Sequence, residues 1–183
     1  AAVNGLNLTQ EQMERYRLLL EMRGNKPEIF GDNVYANPGV SEEYERYAVP
    51  GEYLTDQQFA NLLHEAEKYL GYPYVWGGAS PSTSFDCSGF VSYVINHSGN
   101  GWNYGRLTAN GWNNATARVA VSDVRAGDLV FFQGTYNTSG ASHVGIVVDP
   151  VKKIMIHCGN PIQYASYDTA YWRAHAYCYG RIQ

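Results

Sequence analysis

Charge is sparse in this chain. Lys, Arg, Asp and Glu make up 16% of its 183 residues and leave a net charge of −4. No cluster of basic side chains marks a surface for nucleic acid. Apolar residues reach 45%, which with the low charge describes a folded globular chain, yet no run of them approaches the roughly 20 residues that span a bilayer as a helix. The chain opens on neither Met nor a signal sequence. It is therefore expected to be a processed or excised form, with any secretion signal or anchor upstream. Repeats and low-complexity tracts are missing as well. Cysteine is scarce at three residues, an odd number that leaves at least one thiol unpaired in an oxidising compartment. A Cys158–Cys178 pair would leave Cys87 over; three thiols fit the sequence equally.

The length suits one well-cored domain with an appendage. Thr9, followed three residues later by Gln12, predicts a capped helix through Met13, Tyr16, Leu19 and Leu20 to Gly24. A Pro- and Gly-containing arm follows to residue 53, and its Phe30, Tyr35, Tyr44 and Tyr47 are expected to lie against a surface. Thr55 and Gln58 repeat the cap, opening a helix through Phe59, Leu62, Leu63, Ala66 and Leu70 to Gly71. The main domain is placed from residue 54 to 183, with 1–53 as a linker-like helix and arm. Phe90, Val91, Val94 and Ile95 recur at helical spacing from Cys87 towards Gly99. The Gly- and Asn-rich stretch 98–118, with Trp102, Tyr104 and Trp112, reads as a loop that walls a cleft or simply packs. Strands are expected over 127–132, 142–148, 153–158 and 174–180. Helices first and strands after them point to a segregated α+β domain.

Cys87 is the one plausible nucleophile. A thiol of ordinary pKa is only about 3% thiolate at neutral pH, and the thiolate is the attacking species. A helix N-terminus favours the anion and offers N–H groups to an oxyanion, so its pKa is expected to fall. The plainer reading of Cys87, a small buried hydrophobe, stands until a base is found near it.

Two histidines supply candidates. The Asp149-Pro150 turn should fold their strands into an antiparallel hairpin. Pairing Val148 with Lys152 across it sets His143 directly opposite His157, with Cβ atoms about 5 Å apart. If that face looks at the start of the Cys87 helix, His143 can take the thiol proton while a neutral His157 holds the ring. A competing set, Cys87, His143, His157 and Cys158 around zinc, lacks the close Cys pairs of structural zinc sites, and His157 and Cys158 point to opposite faces of a strand.

Five stretches in order then carry a resemblance: Tyr74-Val75-Trp76-Gly77-Gly78, Asp86-Cys87-Ser88-Gly89-Phe90-Val91, Arg106-Leu107-Thr108-Ala109, Ala126-Gly127-Asp128-Leu129-Val130-Phe131-Phe132, and Ser142-His143-Val144-Gly145-Ile146. From about Thr55 onwards the chain resembles the NlpC-type cell-wall endopeptidases, papain-like cysteine peptidases that cut the peptide stems of bacterial peptidoglycan. The resemblance implies a papain-like α+β fold, helices packed on a central antiparallel sheet with the nucleophile at a helix N-terminus. It makes Cys87 the nucleophile, His143 the base and His157 the third polar residue. It also implies that Tyr74, Asp86 and Ser88, with Trp76 and Ser142 from the same motifs, bind the stem peptide.

The usual cut in such enzymes lies between γ-linked D-glutamate and the diamino acid after it. No metal or cofactor is implied, and the expected setting is the cell wall outside the cell, as a monomer. Ala126 departs from the Pro that often precedes Gly-Asp in the family. Residues 1–53 lie outside the resemblance and read as a linker from an upstream module. An acyl transferase or amidase on the same scaffold, or a wall-binding module without chemistry, remain alternatives.

Overall fold

The computed structural model describes residues 47–183. The helix expected at the N-terminus and most of the arm, with Phe30, Tyr35 and Tyr44, lie outside the described residues. Tyr47 does lie against a surface: its ring sits 5.6 Å from that of Tyr164 and its hydroxyl donates to Asp149 at 2.6 Å.

Helix α1 (Gln57–Glu67) starts one residue later than the Thr55 cap implies. Asp56 is the cap, its Oδ1 accepting from the backbone N–H of Gln58 at 3.0 Å and of Phe59 at 3.1 Å. A carboxylate there also complements the helix dipole, which a Thr hydroxyl does not. Thr55 instead closes a 3-10 turn by donating to Glu52. Phe59, Leu62, Leu63 and Ala66 form the buried face of α1.

A two-residue hairpin, β1 (Ala79–Ser80) and β2 (Ser84–Phe85), leads into α2 (Cys87–His97). Asp86 caps α2 by accepting from Gly89 N–H at 2.7 Å. Phe90, Val91, Val94 and Ile95 are completely buried, so the expected helix face is the central core element. At its first turn the helix presses so closely on the preceding loop that a Cβ at Gly89 would run into the carbonyl oxygen of Gly78. Neither partner can yield, since one is backbone and the other a helix turn. Gly89→Ala is therefore expected to destabilise the domain by about 3 kcal/mol. Denaturant melts check this; a loss under about 0.5 kcal/mol, the scale of an indifferent surface site, would mean that the two backbones do not bear on each other.

The stretch 98–118 is not all loop. It holds α3 (Ala109–Ala115), capped by Thr108, and β3 (Ala117–Val119). Trp112 is fully buried, and its Nε1 donates to Ser92 Oγ at 2.9 Å. It packs in the core and does not wall a cleft.

The remaining strands are β4 (Leu129–Gln133), β5 (Ala141–Asp149), β6 (Ile154–Cys158), β7 (Ile162–Ser166) and β8 (Ala176–Arg181). Helix α4 (Ala170–His175) precedes β8, so the closing strand begins at Ala176, two residues later than its alternation suggests. The strands form one six-stranded antiparallel sheet in the order β3-β8-β4-β5-β6-β7. This is the expected α+β architecture. One face of the sheet, with Val144, Ile146, Ile156 and Cys158, joins the core built by α1 and α2. The other, with Phe132, Val147 and Met155, is covered by Tyr171 and Trp172 of α4. Among the described residues no helix is long and apolar enough to cross a membrane.

No disulfide joins Cys158 to Cys178. They stand on β6 and β8, with β5 and β4 between them. The Cys158 thiol donates to Phe85 O at 3.2 Å and that of Cys178 to Asn113 Oδ1 at 3.1 Å.

Candidate active site

The β5–β6 hairpin brings the two histidines together, but in a different register from the expected one. Ile146 pairs with Ile156 and Val147 with Met155. A register shift follows between Val147 and Asp149, and the Asp149 carboxylate accepts from Val151 and Lys152 N–H at 2.9 and 2.8 Å to make a longer turn. Continued along the strands, this register sets Gly145 opposite His157, and His143 is its diagonal neighbour. Because side chains alternate with a period of two, a slip of two residues keeps both rings on one face. Gly145 makes room for the diagonal. A Cβ there would stand 3.2 Å from the Cβ of His157 and 2.7 Å from the sulfur of Met155.

His143 Nε2 and His157 Nδ1 are 2.9 Å apart, and the rings meet edge to face. Both are buried, at 0% and 1% exposure. Trp172 closes over them, its ring stacked on His143 at 5.1 Å and edge-on to His157 at 5.8 Å. Burial drives the pKa of His143 well below the ordinary imidazole value, with His157 adding to the effect. Burial alone takes His157 down to about 3. The second nitrogen of His143, Nδ1, has no hydrogen-bond partner among the described residues. In the tautomer where His143 donates from Nε2 to a bare His157 Nδ1, the Nδ1 lone pair of His143 stays available.

This neutrality has a consequence for stability. In the unfolded chain both rings titrate near pH 6.5, so below about that pH it binds more protons than the folded one. The stability gained from neutral rings is complete above about pH 6.5 and drains away as the pH falls through the folded values, each ring contributing a slope of about 1.4 kcal/mol per pH unit. Melting temperatures measured between about pH 7 and about pH 5 should fall, and His157→Gln should make the fall shallower. An unchanged slope in that variant would place the acid sensitivity elsewhere.

Cys87 sits at the tip of α2, 5% exposed. It packs with Phe132, Met155 and Trp172 on the face of the histidines, although the apolar residues of its own helix belong to the other core. Backbone N–H groups of Val144 and Ser88 favour its anion, as does Arg106, but burial and the neighbouring Asp86 outweigh them and push the thiol up to about 12. The helix terminus thus does not give the lowered pKa expected from position alone. Desolvation of the sulfur is the larger effect, and thiol and imidazole rest uncharged.

The Val144 contact ties the sulfur to the residue beside His143. Cys87 thus lies in the cluster on the histidines' side of the sheet, and its thiol makes no hydrogen bond to His143 Nδ1. Cys158, buried on the opposite side of the sheet, does not join them, and among the described residues no three His, Cys, Asp or Glu side chains gather as metal ligands.

The residues around the thiol divide into two sets. Asp86 is engaged on both oxygens: besides capping α2 it accepts from Gly77 N–H at 3.0 Å and from Arg106 Nη2 at 2.9 Å to each oxygen. Ser88 accepts from Arg106 Nη1 at 2.9 Å. Asp86, Ser88 and Arg106 thus knit the helix start to the loop before it. Ser142 is 1% exposed, and its hydroxyl contacts Thr135 Oγ1 at 2.6 Å and Phe132 O at 3.3 Å at the base of the β4–β5 loop. Tyr74, by contrast, has its phenol in the field of Cys87, Asp86 and Tyr136, with its pKa raised by burial and by these neighbours. Trp76 is 58% exposed.

The sequence motifs assign no site role to Arg106, Tyr136 or Trp172. Arg106 lay in a quoted motif. Nothing local marks the other two.

A family profile described as NlpC/P60 family matches residues 71–181. The chain is 39% identical over 131 residues to the bifunctional muramidase/DL-endopeptidase CwlT of Bacillus subtilis, covering 68% of this chain and 37% of that protein. It is 36% identical over 113 residues to the gamma-DL-glutamyl hydrolase of the same organism, covering 62% and 27%. It therefore spans well under half the length of either relative. Among solved structures, an NLP/P60 family protein similar to a lipoprotein, from Staphylococcus aureus, superposes with a TM-score of 0.64 at 27% identity, covering 98% of this chain and 63% of that one. RipD of Mycobacterium tuberculosis, a non-catalytic NlpC/p60 domain protein adapted to peptidoglycan binding, shares the fold with a TM-score of 0.57 at 20% identity, covering 70% and 99%.

Proposed function

The chain belongs to the NlpC/P60 family, and we propose that it hydrolyses the peptide stems of bacterial peptidoglycan at the cell wall, cutting between γ-linked D-glutamate and the diamino acid that follows. Cys87 is the nucleophile, His143 the base and His157 the residue that orients it. The observation that carries this reading is the buried 2.9 Å bond between His143 Nε2 and His157 Nδ1, with Nδ1 of His143 left unpartnered among the described residues beside the strand residue that contacts the thiol.

The sulfur of Cys87 attacks the carbonyl carbon as its proton passes to His143 Nδ1, and the imidazolium so formed is steadied by the lone pair of His157. The carbonyl oxygen takes the negative charge. At the start of α2 the N–H of Gly89 is bound by the Asp86 side chain and that of Phe90 by the Asp86 carbonyl. That of Ser88 lies against the Cys87 sulfur, which leaves the N–H of Cys87 at the tip to receive the oxyanion. The carbon–nitrogen bond then breaks and the leaving amine takes the proton from His143. Water next gives a proton to His143 Nδ1 and attacks the thioester. The carbon–sulfur bond breaks, the thiol regains its proton and the acid product leaves. Starting from a neutral pair, the thiol loses its proton only as it attacks, so no charge has to be held in the buried site beforehand.

Digestion of defined stem peptides, read by mass spectrometry, tests the assignment. The expected products are one fragment ending in D-glutamate with a free γ-carboxyl and one beginning at the diamino acid. Products joined to an added amine would indicate acyl transfer, and cleavage at another bond would refute the proposed specificity.

A further inference from the structure

Two aromatic rings from separate loops meet beside the cluster that holds the thiol. Trp76 comes from the loop before β1, and Tyr136 from the loop between β4 and β5. Their centroids are 5.6 Å apart at 78°, an edge-to-face contact. Both loops are tied at their bases. Gly77, next to Trp76, donates to Asp86 Oδ2 at 3.0 Å. On the other side Thr135 N–H donates to Ser142 Oγ at 3.0 Å, Ala141 N–H to Asn110 Oδ1 at 3.1 Å, and Thr138 N–H to Tyr136 O at 2.9 Å. Tyr136 packs on the cluster that holds Cys87, and its phenol lies in the field of Cys87 and Asp86. Trp76 keeps 58% of its surface exposed while Cys87 keeps 5%. A large exposed indole held against a second ring that packs on the cluster of a nearly covered thiol is more than a packing accident, because folding gains little from a ring left mostly in water.

We infer that Tyr136 is a specificity-determining residue, forming with Trp76 an aromatic bridge that admits a single extended peptide backbone to Cys87 in preference to a stem branched by a cross-link. The inference rests on the proposed hydrolase reading for its substrate. The physical reason is width. Rings anchored from two sides can part enough for a backbone to slide between them and stack on its peptide planes. A branch at the scissile residue would require both tethered loops to give way. Within its motif Trp76 is marked only as a binding residue. Tyr136, in a Gly- and Ser-containing loop, carried no signal.

The test uses the full chain and two readouts, one independent of catalysis. Alkylation of Cys87 is timed with iodoacetamide and with a bulky branched maleimide, in wild type, Tyr136→Ala, Trp76→Ala, the double variant and Tyr136→Phe, and modification is assigned by peptide mapping. Hydrolysis is measured on linear and on cross-linked stem peptides. Tyr136→Ala is expected to speed the bulky reagent about tenfold while changing iodoacetamide less than about threefold, and to lower the linear-to-cross-linked ratio of kcat/KM about tenfold. Trp76→Ala should act in the same direction, and the double variant should add little, since either single change removes the same contact. Tyr136→Phe keeps the ring and should keep the size discrimination.

An unchanged reagent-size ratio in Tyr136→Ala, with hydrolysis intact, would overturn the bridge and leave the hydrolase reading standing. A changed ratio in a protein that cleaves neither peptide would do the reverse. Preserved discrimination between linear and cross-linked peptides in both alanine variants would also overturn it.

Discussion

Cys87→Ala is expected to lower release of peptide fragments from purified peptidoglycan by about 10⁴-fold or more, to the level of buffer alone. The substitution removes the only atom in the site able to form the thioester. It should hardly disturb the fold: the side chain is small, the thiol rests uncharged, and the helix cap depends on Asp86. A change in unfolding free energy within about 1 kcal/mol is expected, measured by denaturant melts beside the activity assay. Retained folding with lost hydrolysis separates chemistry from structure. The same variant should still bind stem peptide, which calorimetry can follow without turnover.

The second large effect concerns the two imidazoles, and their order is the informative part. His143→Ala removes the group that receives the thiol proton, and a loss of about 10³- to 10⁴-fold in kcat is expected. His157→Ala leaves that group in place but frees its Nε2 and opens space beside it. A partial loss of about 10- to 100-fold is expected, because a neutral imidazole stabilises the imidazolium less than a carboxylate would. His157→Gln, whose amide oxygen can accept from His143 Nε2, should recover part of the loss. Equal losses for the two alanine variants would mean that the rings act as an inseparable unit, and a larger loss at 157 would invert their roles. Single-turnover kinetics with a defined stem peptide distinguishes these outcomes.

What local sequence determines was readable in advance. An apolar 3-to-4 periodicity puts Cys87 at a helix start, and strand alternation with a turn at Pro150 puts His143 and His157 on one face. The register was not readable, because it depends on where Asp149 chooses to bond: its carboxylate holds Val151 and Lys152 N–H and lengthens the turn. The period-two rule preserved the face despite the slip. Helix α3 was missed since Gly and Asn are weak helix formers, and the segment is held by the burial of Trp112 and its bond to Ser92. Trp172 lies on a helix of six residues whose importance comes from the rings it covers on distant strands.

The thiol pKa went the other way for the same reason. A helix terminus is a local feature, but burial of the sulfur is set by the whole fold, and burial prevails. Likewise Asp86 and Ser88 carry the family motif, and only the fold shows that their polar atoms also hold Arg106 and the loop around Gly77.

The most direct measurement uses a stem peptide whose scissile amide is replaced by a vinyl sulfone, incubated with the protein and followed by intact mass, peptide mapping and residual hydrolysis together. One equivalent is expected to attach to Cys87, with activity falling in proportion to labelling and with labelling slowed strongly in His143→Ala. Hydrolysis that persists after Cys87 is fully occupied would show that the bond is cut by some other group.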